Sequence, residues 1–239
     1  MNDPLAQPAS TPEERLQALA AWGVDLKQVA WMLHRTPETR VAGVLEAADG
    51  FVQRSWLSRL VRPALHPVPP RLLFQRLIGA EVDWVLAGAL AEIAQGAPIL
   101  TDHAELCFRP EAENVARLVE ALRPLRPRLQ AGTRRERSPR FFARHGARLL
   151  LEQAQLSLDT QACHLRLASA LPGVGDYTAI KRAAILLDLY GCRMLVLTLP
   201  ALIARRKLRG GPSDETFLPQ LEAVSVLATA SAQATPAGV

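Results

Sequence analysis

The run TDHAELCF holds the side chains with the most chemical promise. On a strand, alternate residues share a face, so His103, Glu105 and Cys107 would point the same way. An imidazole, a carboxylate and a thiol are ligand types for Zn2+ or Mn2+, and His164 is a further candidate. They are poor ligands for a two-Mg2+ centre, which needs bridging carboxylates. Asp102 would lie on the opposite face and reach Glu105 only through a bulge. The competing reading makes these residues ordinary polar side chains at a strand edge, and no metal or other cofactor is expected here.

A second chemistry is phosphate contact. Between Arg123 and Arg148 stand nine arginines against the single acid Glu136, in a chain whose net charge is only +5. Arg134, Arg135, Arg137, Arg140, Arg144 and Arg148 are the candidate nucleic-acid contacts. Gly132, Ser138 and Pro139 suggest an exposed loop there, from which Phe141, Phe142 and His145 could stack on bases. The same arginines could equally be a solvated surface, with the phenylalanines anchoring the loop on the core. A smaller basic group in ARRKLRGG, including Lys207 and Arg209, has a structural reason already, because cations complement a helix carboxyl end.

Other chemistries find no support. LPGVGDY lacks the spacing and lysine of a phosphate loop and reads as a turn. The histidines have no triad partners in sequence order, and three scattered cysteines form neither a disulfide framework nor a C-x-x-C pair. No apolar run is long enough for a membrane span, and the first residues lack a secretory pattern, so a cytoplasmic place is expected.

The elements that must position these residues follow from periodicity. Residues 1–12 read as disordered, with Ser10 or Thr11 capping a first helix at Pro12. That helix is the first of three short ones within a region spanning 13–65, the third started by Thr36 and Pro37. The pair around DLKQVAWMLHRTPETR has a helix-turn-helix outline, offering Glu38, Thr39 and Arg40 to bases, although three packed cap helices explain the same spacing. Trp22, Trp31 and Trp56 are core residues or a contact surface. The prolines of HPVPPRLL mark a boundary, placing the main domain at 69–224. Within it, PRLLFQRLIGA is a helix, VDWVLAG a central strand, ALAEIAQG a short helix, TDHAELCF a strand and the segment from Pro110 a long helix. RLLLEQAQLSLDT and ACHLRLASAL read as neighbouring strands, DYTAIKRAAILLDL as helix or irregular, and CRMLVLTL as a strand. Two helices follow, and 225–239 reads as a frayed tail without periodicity. The fold class is thus mixed α/β, with a small mixed sheet flanked by helices and a small N-terminal helical region.

This order of elements, LAGALAEIAQG then TDHAELCF then ENVARLVEALRPL, resembles the minimal nucleotidyltransferase fold of bacterial abortive-infection and toxin-associated nucleotidyltransferases. The likeness runs from about Leu73 to Val224 and includes the HLRL strand and the segment LPALIARRKLRGGPSDETFLPQLEAV. It implies that a glycine turn after the first strand cradles nucleotide phosphates, and that three carboxylates on two later strands hold metals. This chain departs at those positions. The turn reads Ala87, Gly88, Ala89; Thr101 is kept; the metal carboxylates fall on His103 and Glu105; and the third falls on Arg166. A guanidinium is always protonated and opposes cation binding. The resemblance therefore implies a degenerate cleft, with Gly88, Ala89, Thr101, Lys207 and Arg209 as pocket remnants and Arg166 paired to Glu105 as a plug. It also leaves open weak binding of a nucleotide by arginine contact.

The reading that joins these features is a catalytically silenced nucleotidyltransferase-fold protein that acts by binding nucleic acid, DNA slightly before RNA, and a protein partner or a second copy besides. The alternatives are an active divergent nucleotidyltransferase using Glu105 with Asp102 or Asp159, and a structural or oligomerising module.

Overall fold

A computed structural model describes residues 11–43, 71–101 and 103–234. Asp102, Trp56, the proline-rich boundary, residues 1–10 and the last five residues of the expected tail lie outside that set.

The chain builds a mixed seven-stranded sheet in the order β3-β4-β5-β2-β1-β9-β8. Its strands are β1 (Trp84–Ala87), β2 (His103–Phe108), β3 (Arg128–Leu129), β4 (Gln155–Asp159), β5 (His164–Ala168), β8 (Ala184–Leu189) and β9 (Cys192–Leu197), with β6 (Ala170–Leu171) and β7 (Gly175–Asp176) as a separate ribbon. WVLA is buried at all four residues, as a central strand must be. β2 runs antiparallel to β1 and parallel to β5, which puts Glu105 directly opposite Arg166, and His103 opposite His164. β4 continues both rows with Ser157 beside Arg166 and Asp159 beside His164.

Strand alternation makes the two sheet faces chemically unlike. One carries Ala104, Leu106, Leu156, Leu158, Leu165 and Leu167, all buried. The other carries the histidines, Glu105, Arg166, Ser157 and Asp159. Two helices, α6 (Ala112–Leu122) and α7 (Pro139–Glu152), cover the leucine face, bringing Val115, Leu118, Leu122, Phe142 and Leu150 into the same core. Phe142 is fully buried against Gly146, where an added Cβ would lie 3.0 Å from its ring. Truncating Phe142 to alanine would cost about 3–5 kcal/mol by emptying that space.

The remaining helices are α1 (Pro12–Ala21), α2 (Leu26–Leu33), α3 (residues 37–43), α4 (Arg71–Gly79), α5 (Gly88–Gln95), α8 (Tyr177–Arg182), α9 (Leu199–Arg209) and α10 (Pro212–Ala234). Thr11 caps α1 in a reciprocal capping box with Glu14, Asp25 caps α2, and Thr36 accepts from the Thr39 N–H at the start of α3. α1 and α2 pack on α10, and Leu19, Val29, Met32 and Val41 join the main core.

Three expectations are corrected here. Arg40 does not face outward to read bases: its guanidinium is buried and donates to the carbonyls of Met32, Leu33 and Ala94, at 2.7, 2.9 and 2.7 Å. That fork ties the N-terminal helices to the end of α5 and takes Arg40 out of the set offered to bases, leaving Glu38 and Thr39 exposed. Residues 225–234 are not frayed but complete α10; Val226 is buried, and the alanine-rich end has high helix propensity even without periodicity. The segment RLLLE belongs to α7 rather than to a strand, while DYTAIKRAAILLDL divides into α8 and β8.

An arginine-filled cleft as the candidate functional site

The turn from β1 into α5 builds one wall of a cleft. Ala87 is extended and offers no side-chain cap, and Gly88 opens the helix with φ +64°. A Cβ at Gly88 would lie 2.6 Å from Glu105 Oε2, so both the backbone angle and the space require glycine. Glu105 pairs in register with Ala87 and projects beneath this turn. The opposite wall is α9, whose Arg205 reaches down to Glu105.

Arg205 grips Glu105 with two parallel hydrogen bonds of 2.8 and 2.6 Å, and both side chains are about nine-tenths or more removed from water. The expected plug therefore exists with a different partner: Arg166 stands opposite Glu105 in the sheet but does not pair with it. Behind this pair, Arg206 donates to Glu92 at 2.7 Å and to Asp214 at 2.9 Å. Arg209 also donates to Asp214, through Nε at 2.6 Å and through a second nitrogen. Hydrogen bonding from Arg209, with further contributions from the Gly211 N–H and Arg206, lowers the Asp214 pKa to about 2. Beneath Glu105, burial first and the neighbouring carboxylate second push the Cys107 thiol well above its ordinary range. It is an inert buried thiol rather than a ligand.

Arg166 is the exception in this arrangement. It is half-buried and lines the cleft, its Nε is sealed from water without a hydrogen-bond partner, and among the described residues it makes no ion pair. The volume of the cleft is about 250 Å3. Gly88, Ala89 and Arg209 line it, together with His103. Thr101 does not: its hydroxyl accepts from the His103 N–H at 3.1 Å and shapes the entry to β2. Lys207 does not either, because the helical turn carries it to the outer side of α9, where Nζ lies 2.8 Å from Glu222 on α10.

Beside the cleft, His103 stacks on His164 with ring centres 4.9 Å apart, and His164 Nδ1 donates to Asp159 at 2.6 Å. Among the described residues no group of three or more His, Cys, Asp or Glu side chains is placed to hold a metal ion. Glu105, one of the suggested ligands, is already held by Arg205.

Arg134, Arg135, Arg137, Arg140 and Arg144 are exposed, and among the described residues none has an acidic partner. Arg148 is bound to Glu152 at 2.7 Å, and Glu136 is used by the Thr133 N–H at 2.8 Å. Most of this segment is not the expected loop. From Pro139 it is α7, with Ser138 as cap, Phe142 in the core, and Phe141 against His145 at 4.6 Å. Because α7 lies on the leucine face and α5 and α9 on the other, the basic surface and the cleft are on opposite sides of the sheet.

Sequence reasoning missed Arg205, Arg206, Glu92 and Asp214. A signal was present: Leu199 and Leu202 continue at helical spacing into Arg206, which puts a cation on a buried stripe. Glu92 is the single charged residue in GALAEIAQ. Compared with models of known protein families and with curated proteins, the chain matches none. Among the described residues no helix is long and apolar enough to cross a membrane.

Proposed function

We propose that the chain is a nucleotidyltransferase-fold protein without two-metal chemistry, whose work is to bind nucleic acid through the arginine surface of α7 and the turn before it. The single observation behind the binding role is that Arg134, Arg135, Arg137, Arg140 and Arg144 stand in solvent with no carboxylate to answer them among the described residues. Exposed, unpaired guanidinium groups release condensed counterions when they meet phosphate. The reading of a silent centre is supported by Arg205, whose fork occupies both oxygens of the one family-position carboxylate that remains. A divalent ion there would have to displace a buried bidentate pair. With Arg40 committed to backbone carbonyls, nothing favours DNA over RNA.

The test is fluorescence anisotropy with labelled duplex DNA, single-stranded DNA and a structured RNA, across a salt series through about 150 mM, where charges are screened over roughly 8 Å. The wild-type protein should bind at that salt, and a variant with Arg134, Arg135, Arg137 and Arg140 changed to glutamine should not. Equal binding by the two proteins, or none by either, rejects the proposal.

A further inference from the structure

The seven-stranded sheet ends on one side in β3 and on the other in β8, and the two edges are unlike. β3 is two residues long, begins with the exposed Arg128 and has α7 packed on it. Shortness, charge and a covering helix are ways to keep an edge from pairing with another chain. β8 is neither short nor basic: it runs for six residues, AILLDL, without proline, glycine, lysine or arginine. Its inner side pairs with β9, and among the described residues no strand lies on its outer side. Alternate backbone N–H and C=O groups therefore point away from the ladder. Ile185 and Leu186 are 41% and 54% exposed, and as successive residues they put apolar surface on both faces of this edge. We infer that β8 is a pairing edge for a second copy of this chain, with two sheets joined through antiparallel β8 strands.

The strand itself selects that occupant. A two-fold axis relating antiparallel edges keeps like faces of both sheets on one side, so each residue opposes one of its own parity. With Leu186 on the axis, it meets Leu186 of the second copy, Ile185 meets Leu187, and Ala184 meets Asp188. Apolar side chains then oppose apolar ones, and the two Asp188 carboxylates stay at opposite ends. Within its own hairpin Asp188 is answered by Arg193 at 3.8 Å. The antiparallel arrangement also carries it toward the exposed Arg182 that precedes β8 in the second copy. Parallel pairing would instead set Arg182 beside Arg182 and Asp188 beside Asp188. One such contact consumes both β8 edges, and the blunted β3 edges offer no site for extension, so assembly stops at a dimer. The same symmetry leaves both α7 helices on one side of the joined sheet, but the inference does not rest on the nucleic-acid reading.

Sedimentation equilibrium of the nuclease-treated full chain tests it, across about a hundredfold range of protein concentration because association follows mass action. The wild type should pass reversibly from monomer to dimer and no further, since a six-residue edge is smaller than a permanent interface. Leu186→Lys, a change at an exposed position, should weaken the dimer about tenfold or more, because each dimer loses two leucines and gains two facing ammonium groups. The variant with Arg134, Arg135, Arg137 and Arg140 changed to glutamine should dimerise as the wild type does, so the two proposals fail separately. Should Leu186→Lys not fold, cross-linking gives the same answer. In a Cys192→Ala background, Leu186→Cys should join two copies through a short bismaleimide, and Leu151→Cys, at the end of α7 on the β3 side of the sheet, should not. A chain that stays monomeric at every concentration would overturn the inference and give the edge to a strand of another protein or to none. Growth beyond the dimer, undiminished association of Leu186→Lys, or equal cross-linking from the two cysteine positions would each overturn it as well.

Discussion

Arg205 and Arg206 lie beneath the cleft with side chains only 10% and 7% exposed and each held by carboxylates, whereas the arginines of α7 and its preceding turn stand in water with few acids near them. The residue type is the same, and the consequences are opposite. A buried arginine is structural because removing it strands a carboxylate away from water. An exposed one contributes little to stability and remains available to a partner. The clustering of arginines in the sequence therefore says less about function than the location of the acids that answer them.

The sharpest way to break this contrast is Arg206→Met, which leaves Glu92 and Asp214 both buried and short of a partner. Chemical denaturation should show a loss near the upper end of the 3–5 kcal/mol typical of breaking a buried pair, about 5 kcal/mol. Arg205→Met should cost somewhat less, about 3 kcal/mol, because only Glu105 is stranded. Adding Glu105→Leu to it should recover most of that loss in a double-mutant cycle. A single substitution as harmless as the double would mean that the pair contributes no coupling.

Acid provides the next largest effect. The Asp214 carboxyl is held at about 2 in the folded chain, below its usual 3.8, so its contribution is complete above about pH 4. That contribution, about 2 kcal/mol, should be lost as the pH falls from about 4 toward 2. Asp214→Asn should flatten this limb in denaturation curves measured through that range. The smallest stability effect belongs to the outer surface. Changing Arg134, Arg135, Arg137 and Arg140 to glutamine should move stability by less than about 0.5 kcal/mol. The same variant should reduce the salt slope of duplex-DNA binding by about 3 to 4, at roughly 0.9 for each phosphate that is no longer neutralised.

Much of the sheet was legible because its signals are local. WVLA had to be buried on both faces, and TDHAELCF and HLRLA alternate, whereas the placing of Arg166 near Glu105 came from the resemblance and its register from the folded sheet. The caps at Thr11 and Thr36 were equally local. The ion pairs of the cleft were not legible: Glu105 and Arg205 lie a hundred positions apart, and only the packing of α9 on the sheet brings them together. Local reasoning had already given the ARRKLR cations a sufficient cause at a helix end, which hid the tertiary one. The end of α10 gave no signal because beyond Val226 and Leu227 its residues are small, with Ala228 and Thr229 exposed, so no apolar stripe marks the helix.

The packing of α1 and α2 on α10 also sets an order of assembly. Gly96 lies where these layers meet, with Leu33 on one side and Val224 on the other. During synthesis the first helices leave the ribosome long before the residues that cover them exist. They stay incompletely covered until the last long helix has emerged, while the strands between them are already being made. Leu221 and Val224 of α10 belong to the core that α1 and α2 join, and a translation product stopped before Leu221 would leave the apolar sides of α1 and α2 uncovered.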